Sequence, residues 1–107
     1  MRLVIIGGGN MGGAILLALL KSASVPPEDI LLIESDGEKR KKIVNATGCT
    51  TQAEIDEEVR NYDIILLAVK PQSSTAIMEL IAQWLLPEHL IVSVMAGISL
   101  ETMRRAL

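Results

Sequence analysis

The sequence predicts an α/β protein: a doubly wound, mostly parallel sheet of about five strands with helices on both faces. Three observations lead there. Four short apolar runs are continuous rather than alternating: "RLVII" at 2–6, "ILLI" at 30–33, "IILLAV" at 64–69 and "LIVSV" at 90–94. Strands covered on both faces read this way, as in parallel sheets. Helical patterns separate the runs, so strand and helix alternate along the chain. Finally, the glycine cluster "GGGNMGG" at 7–13 joins the first run to the first helical pattern.

The elements follow in order. After the first strand, "NMGGAILLALLKS" reads as a helix, and "GEKRKKIVNAT" reads as another after the second strand. A short edge strand is expected near Cys49 to Thr51, then one or two helical turns around Glu54 to Arg60. The third helix, "PQSSTAIMELIAQWLL", places Ile77, Leu80, Ile81, Trp84 and Leu85 at i, i+3, i+4, i+7 and i+8, an apolar stripe for a sheet. "SLETMRRAL" reads as a fourth helix. Pro26, Pro27 and Pro71 fall between elements, where proline does little harm.

The 107 residues suit one domain. Half are apolar, yet Trp84 and Tyr62 are the only aromatics, so the core must be aliphatic. The net charge is −3, and the basic residues are scattered apart from Lys39-Arg40-Lys41-Lys42. That pattern fits neither a general nucleic-acid binder nor a membrane-surface binder. A single cysteine, Cys49, cannot form a disulfide framework within the chain and suits a reducing, cytoplasmic setting. The glycine cluster interrupts the N-terminal apolar stretch, whereas a secretory signal runs unbroken. No apolar stretch reaches the length of a membrane span.

Gly7-x-Gly9-x-x-Gly12 follows a buried strand and opens a helix, which is the context of a Rossmann-like dinucleotide site. Gly7 permits the tight turn off the strand. Gly9 lets a pyrophosphate approach the backbone. Gly12 lets the helix press against the sheet. The amides and positive dipole end of that helix then face the phosphates. Gly13, inside the first turn, costs about 1 kcal/mol relative to Ala, which close approach of a backbone or ligand would explain. The cluster lacks the Gly-Lys-Ser/Thr of a nucleotide-triphosphate loop.

Such a site expects an acid after the second strand, hydrogen-bonded to the ribose 2′-hydroxyl. Glu34 and Asp36 are available. A carboxylate there repels a 2′-phosphate and favours NAD over NADP, whereas Ser35 and the basic run from Lys39 favour a 2′-phosphate. The run also reads as a solvated helix face supported by a Glu38–Lys42 pair at i,i+4. Elsewhere, His89 reads as a loop residue and Cys49 as a packed thiol, so no metal site assembles. Ser73, Ser74 and Ser93 lack a histidine–acid pair, and no catalytic residue is assigned.

Taken together, "IIGGGNMGGAI", "LAVKPQ" at 67–72 and "SVMAGISLETM" at 93–103 resemble the N-terminal domain of the pyrroline-5-carboxylate reductase family. The resemblance spans nearly the whole chain. It implies an oxidoreductase of proline biosynthesis that reduces a cyclic imine with NADP or NAD as cofactor. It also implies site residues: Ile6, Gly7, Gly8, Gly9, Asn10, Met11 and Gly12 around the pyrophosphate, and Glu34, Ser35 and Asp36 at the adenosine ribose. Ala68, Val69, Lys70 and Pro71 would lie along the cofactor, and Met95, Ala96 and Gly97 near the nicotinamide. Lys70 also reads as a plain surface lysine at a helix start.

Some positions depart from the family pattern. Glu34 stands where a small hydroxyl residue is frequent, which with the carboxylate argument tips the expectation slightly to NAD. Ile55 stands near a frequent asparagine, and Met95 begins what is often Ala-Ala-Gly. Family members continue into a helical domain that dimerises and holds the imino acid. The resemblance therefore implies that residues 1–107 are a cofactor domain alone, truncated relative to the family, with an apolar face left uncovered. Alternatives are the cofactor domain of a related hydroxyacid dehydrogenase or deazaflavin-linked reductase, and a non-catalytic dinucleotide sensor.

Overall fold

The apolar runs become the strands of one sheet. In the computed structural model, which describes residues 1–7, 10–23 and 25–93, β1 is Leu3–Ile6 and α1 is Asn10–Lys21. β2 (Ile30–Ile33), α2 (Gly37–Thr47) and β3 (Thr50–Gln52) follow, then β4 (Ile64–Leu67), α3 (Pro71–Ile81) and β5 (Leu90–Ser93). Short 3₁₀ turns cover Pro27–Asp29, Glu57–Asn61 and Ala82–Trp84. The strand order is β3-β2-β1-β4-β5 and every pairing is parallel. The chain winds from β1 outward to β3, then returns to the other side of β1 for β4 and β5. The winding reverses between β1 and β4, and open α/β sheets bind ligands beyond the carboxyl ends of the strands at such a reversal.

Alternate strand residues point to opposite faces, which divides the core in two. Leu3, Ile5, Ile30, Leu32, Ile64 and Leu66 pack with Ile15, Leu16 and Leu19 of α1 and with the half-buried Ile43 of α2. Val4, Ile6, Leu31, Ile33, Ile65 and Leu67 pack with Ile77, Met78 and Ile81 of α3, joined by Val59 and Tyr62. Each of these strands is therefore buried on both faces, which is why its sequence carries no alternation. Cys49 is packed in the first cluster with 2% exposure.

Local chemistry sets the helix ends. The Asp36 carboxylate accepts from the backbone N–H groups of Glu38 and Lys39, at 2.9 and 3.3 Å, and starts α2. Gly48, at φ 76°, closes α2 in the left-handed conformation and donates its N–H to the Val44 carbonyl. Pro71 occupies the first turn of α3, where a missing N–H costs nothing.

Several expectations shift. The run 64–69 is a strand only to Leu67, because Ala68 and Val69 leave the sheet to reach α3. The edge strand is Thr50–Gln52, and the turns expected around Glu54 to Arg60 are the 3₁₀ segment Glu57–Asn61. Leu80 does not join the buried stripe and is 44% exposed. At about 100° per residue the buried arc centres on Ile81, with Met78 inside it and Leu80 beyond its rim. The expected fourth helix, Ser99 to Leu107, lies outside the described residues. The Glu38–Lys42 pair does not form; on α2 the ion pair is Lys39 with Glu34.

Candidate functional site

The carboxyl ends of β1, β2 and β4 form one ledge. Gly7 donates its N–H to the Ile33 carbonyl, and Ala68 donates to the Ile6 carbonyl, both at 2.9 Å. Glu34 extends the ledge by donating to the Gln52 carbonyl at 3.0 Å. The amides of Gly7 and Ala68 are thus engaged by the sheet. The amides left for a ligand are those of the first turn of α1, which have no intrahelical acceptor.

Gly7 has φ +97°, a region that L side chains rarely adopt. A Cβ there would sit 2.6 Å from the Ala68 carbonyl oxygen and 2.9 Å from Val69 Cγ1. At Gly12 a Cβ would overlap the carbonyl oxygen of Gly7 and come within 3.6 Å of Ala68 Cβ. The first turn of α1 therefore rests directly on the end of β1. The tight turn expected at Gly7 and the close helix–strand approach expected at Gly12 are both present. Gly8, Gly9, Met95, Ala96 and Gly97 lie outside the described residues. Asn10 and Met11 lie in the first turn of α1.

At the end of β2, Glu34 is the buried charged residue among the described residues, with 9% exposure. Glu34 is thus not an exposed acid at the strand end. Its Oε1 lies 3.9 Å from Lys39 Nζ. The Arg40 guanidinium donates through Nη1 to the carbonyls of Glu34, at 2.7 Å, and Ser35, at 3.0 Å. Asp36, with its carboxylate engaged as the cap of α2, has a structural task that composition did not signal. Ser35 is exposed.

The β4–α3 loop completes the ledge. Ala68 and Val69 are half-buried against opposite faces of the sheet. Lys70 is exposed in extended conformation just before Pro71 and makes no side-chain capping bond. Ile55, which stands near the frequent asparagine of the resembled family, packs against the second core cluster. The structure thus brings Gly7, Gly12, Ala68 and Val69 into direct contact or near-contact and sets Glu34 one strand away. Sequence reasoning read Arg40 only as part of the basic run and missed its bracing of the Glu34–Ser35 turn, although its position six residues after Glu34 was the available signal. Among the described residues no group of three or more His, Cys, Asp or Glu side chains is placed to hold a metal ion. No described helix is long and apolar enough to cross a membrane.

A dinucleotide fits this arrangement on two observations. The Gly7–Gly12 contact leaves no room for side chains where the helix meets the strand, and a buried carboxylate stands at the neighbouring strand end. Comparison with known proteins agrees. A pyrroline-5-carboxylate reductase from Pseudomonas aeruginosa is 37% identical over 97 residues, covering 91% of this chain and 35% of that protein. Pyrroline-5-carboxylate reductase 3 of Rattus norvegicus is 33% identical over 106 residues, covering 99% and 38%. The chain thus spans little more than a third of these relatives. Among solved structures, a pyrroline-5-carboxylate reductase from Coxiella burnetii superposes with TM-score 0.80 at 24% identity, over 99% of this chain and 39% of that one. The Plasmodium falciparum pyrroline carboxylate reductase with NADP bound gives 0.73 at 21%, over 99% and 37%, a likeness of fold. Residues 2–97 match the family described as NADP oxidoreductase, coenzyme F420-dependent, and the chain belongs to that family.

Proposed function

We propose that this chain is the dinucleotide-binding domain of a pyrroline-5-carboxylate reductase-like oxidoreductase, acting on a C=N bond in a cytoplasmic proline-forming pathway. The observation that carries the reading is the contact of Gly12 with Gly7 at the reversal of winding between β1 and β4. The relatives supply the reaction class. The bound nicotinamide would supply hydride to the imine carbon, while the protein binds and orients it.

Each element has a role in that reading. The glycine turn that leads into α1 is assigned to the pyrophosphate, with the amides of the helix's first turn, where Asn10, Met11 and Gly12 stand, as its donors. Glu34 and Ser35 meet the adenosine ribose. Ala68, Val69, Lys70 and Pro71 line the path towards the nicotinamide, where Met95, Ala96 and Gly97 are assigned by resemblance. Glu34 favours NAD, and the nearby cations favour NADP. The imino acid would be held by a further domain, in a homo-oligomer, as the family resemblance implies.

Fluorescence titration with NADH and NADPH tests the reading, with saturable binding of at least one expected. Silence towards both removes it. The 107-residue chain alone is expected to bind without turnover, and proline formation by it would overturn the division of labour. The family description favours a second reading, a deazaflavin-linked reductase domain sharing the same cofactor site. Binding of a reduced deazaflavin by the complete protein would establish it.

A further inference from the structure

The chain enters β5 through a turn that one residue closes twice. Pro87 and Glu88 form its tip, and the His89 N–H donates to the Leu86 carbonyl at 3.0 Å. The His89 ring closes the turn from the other side, because Nδ1 accepts the Leu86 N–H at 2.8 Å. Its Nε2 lies 3.3 Å from the carbonyl of Arg60, in the 3₁₀ segment Glu57–Asn61 that precedes β4. A backbone N–H can only donate, and a backbone carbonyl can only accept. Both contacts are therefore hydrogen bonds only when the ring is neutral and carries its proton on Nε2. The strand that follows leans on this tie. Among the described residues β5 pairs with β4 alone. None of its residues is fully buried, whereas β1, β2 and β4 are buried throughout.

We propose that His89 is a proton-operated latch on the edge strand: neutral, it ties the entry of β5 to the Glu57–Asn61 segment, and protonated, it releases that entry. A second proton turns Nδ1 into a donor, so two donors then face each other across 2.8 Å. The ring swings away, and its tie to the Arg60 carbonyl goes with it. The Leu86 N–H passes to solvent, since Leu86 is exposed. Imidazole changes charge between about pH 5 and 8, so the latch is complete at the alkaline end of that span and lost towards the acid end. The charged groups of the surrounding elements are engaged elsewhere. Arg60 pairs with Glu57 at 3.7 Å, and Glu58 accepts from the Asn61 amide. The Asp63 carboxylate accepts the Arg2 N–H, and the Arg2 guanidinium lies over Tyr62. Glu88, at the tip of the turn, is exposed. The hydrogen-bond partners of the ring are thus two backbone groups, and its own proton decides whether they are held.

The test is amide hydrogen exchange in the complete protein at about pH 8 and about pH 5, corrected for the intrinsic pH dependence of exchange. Protection over residues 86–93 should fall about fivefold at the acid end, the worth of one hydrogen bond, while that of Leu3–Ile6 stays constant. His89→Asn places an acceptor oxygen where Nδ1 stands and does not titrate, so its protection over 86–93 should be the same at both pH values. His89→Leu removes the acceptor and should give the low value at both. NMR of the ring nitrogens, with His89→Asn identifying the signals of His89, should show a bare Nδ1 and a protonated Nε2 at the alkaline end. A proton on Nδ1 there overturns the latch, whether or not either variant folds. Protection that does not change with pH in the parent overturns it as well. So does a fall of equal size in the parent and in His89→Asn, or one shared equally by Leu3–Ile6, which would be global unfolding.

Discussion

The two ends of the sheet are built on opposite principles. At the amino ends of β1 and β4, side chains satisfy one another. Arg2 donates through Nη1 to the Asn61 carbonyl and through Nη2 to the Tyr62 hydroxyl, and its guanidinium lies 4.3 Å from the Tyr62 ring centroid. The Arg2 backbone N–H donates to the Asp63 carboxylate at 2.7 Å. His89 accepts the Leu86 N–H at Nδ1 and places Nε2 3.3 Å from the Arg60 carbonyl. At the carboxyl ends, side chains are missing where Gly7 and Gly12 meet, and Glu34 has only a loose partner. One end is closed by its own contacts, and the other keeps room and charge for a ligand. Mutation at the closed end should therefore change stability alone, whereas mutation at the open end should also change binding.

The largest effect is expected at the open end. Gly12→Ala forces a methyl into the Gly7 carbonyl and should cost about 3 kcal/mol, the upper range for overpacking. It should also abolish dinucleotide binding, so denaturant unfolding and cofactor titration should both respond. Retained affinity would mean that α1 does not set the pyrophosphate site. At the closed end, Arg2→Ala removes two hydrogen bonds and a cation–π contact at a partly solvated position. A loss of about 1 kcal/mol is expected, with cofactor affinity unaltered. A change in affinity would show that the two ends are coupled through β1.

The smallest effect concerns pH. Burial raises the pKa of Tyr62 above its usual 10.0; Glu58 adds to this and Arg2 opposes it. The folded state therefore holds the phenolic proton more tightly than the unfolded chain. The stability this confers is complete below pH 10.0 and is lost as pH rises through the folded-state value. Tyr62 is the only tyrosine, so an absorbance titration of tyrosinate reads it without ambiguity. Tyr62→Phe should remove that alkaline loss of stability, and an unchanged alkaline profile would assign the loss to another group.

Much of this was legible beforehand where the information is local. Continuous apolar runs marked Leu3–Ile6 and Ile64–Leu67 because strands buried on both faces have no solvent face to encode. Gly7 and Gly12 were legible because the turn and the close approach both exclude a Cβ. Leu80 was misplaced because spacing gives a stripe's width but not its centre, which the packing of Ile81 decides. Glu34 was expected as a site acid from its position after β2, but its burial and its pairing with Lys39 were not foreseen, since both depend on how α2 settles over the end of β2. The stretch Ser93 to Met103 was one of three that carried the family resemblance, and Met95, Ala96 and Gly97 within it lie outside the described residues.

By itself, then, the sequence determined the alternation of strand and helix, the glycine turn and the family resemblance. These follow from burial period, backbone dihedral preference and short motifs, all read within a dozen residues. Tertiary structure alone decided which partners meet. Arg2 reaches Tyr62 across sixty positions only because β4 lies beside β1. Gly12 meets Gly7 and nears Ala68 only where the winding reverses. Arg40 and Lys39 acquired different tasks, though adjacent and alike in charge, because a helix turns successive side chains about 100° apart. One faces the backbone of the turn, and the other faces the buried carboxylate.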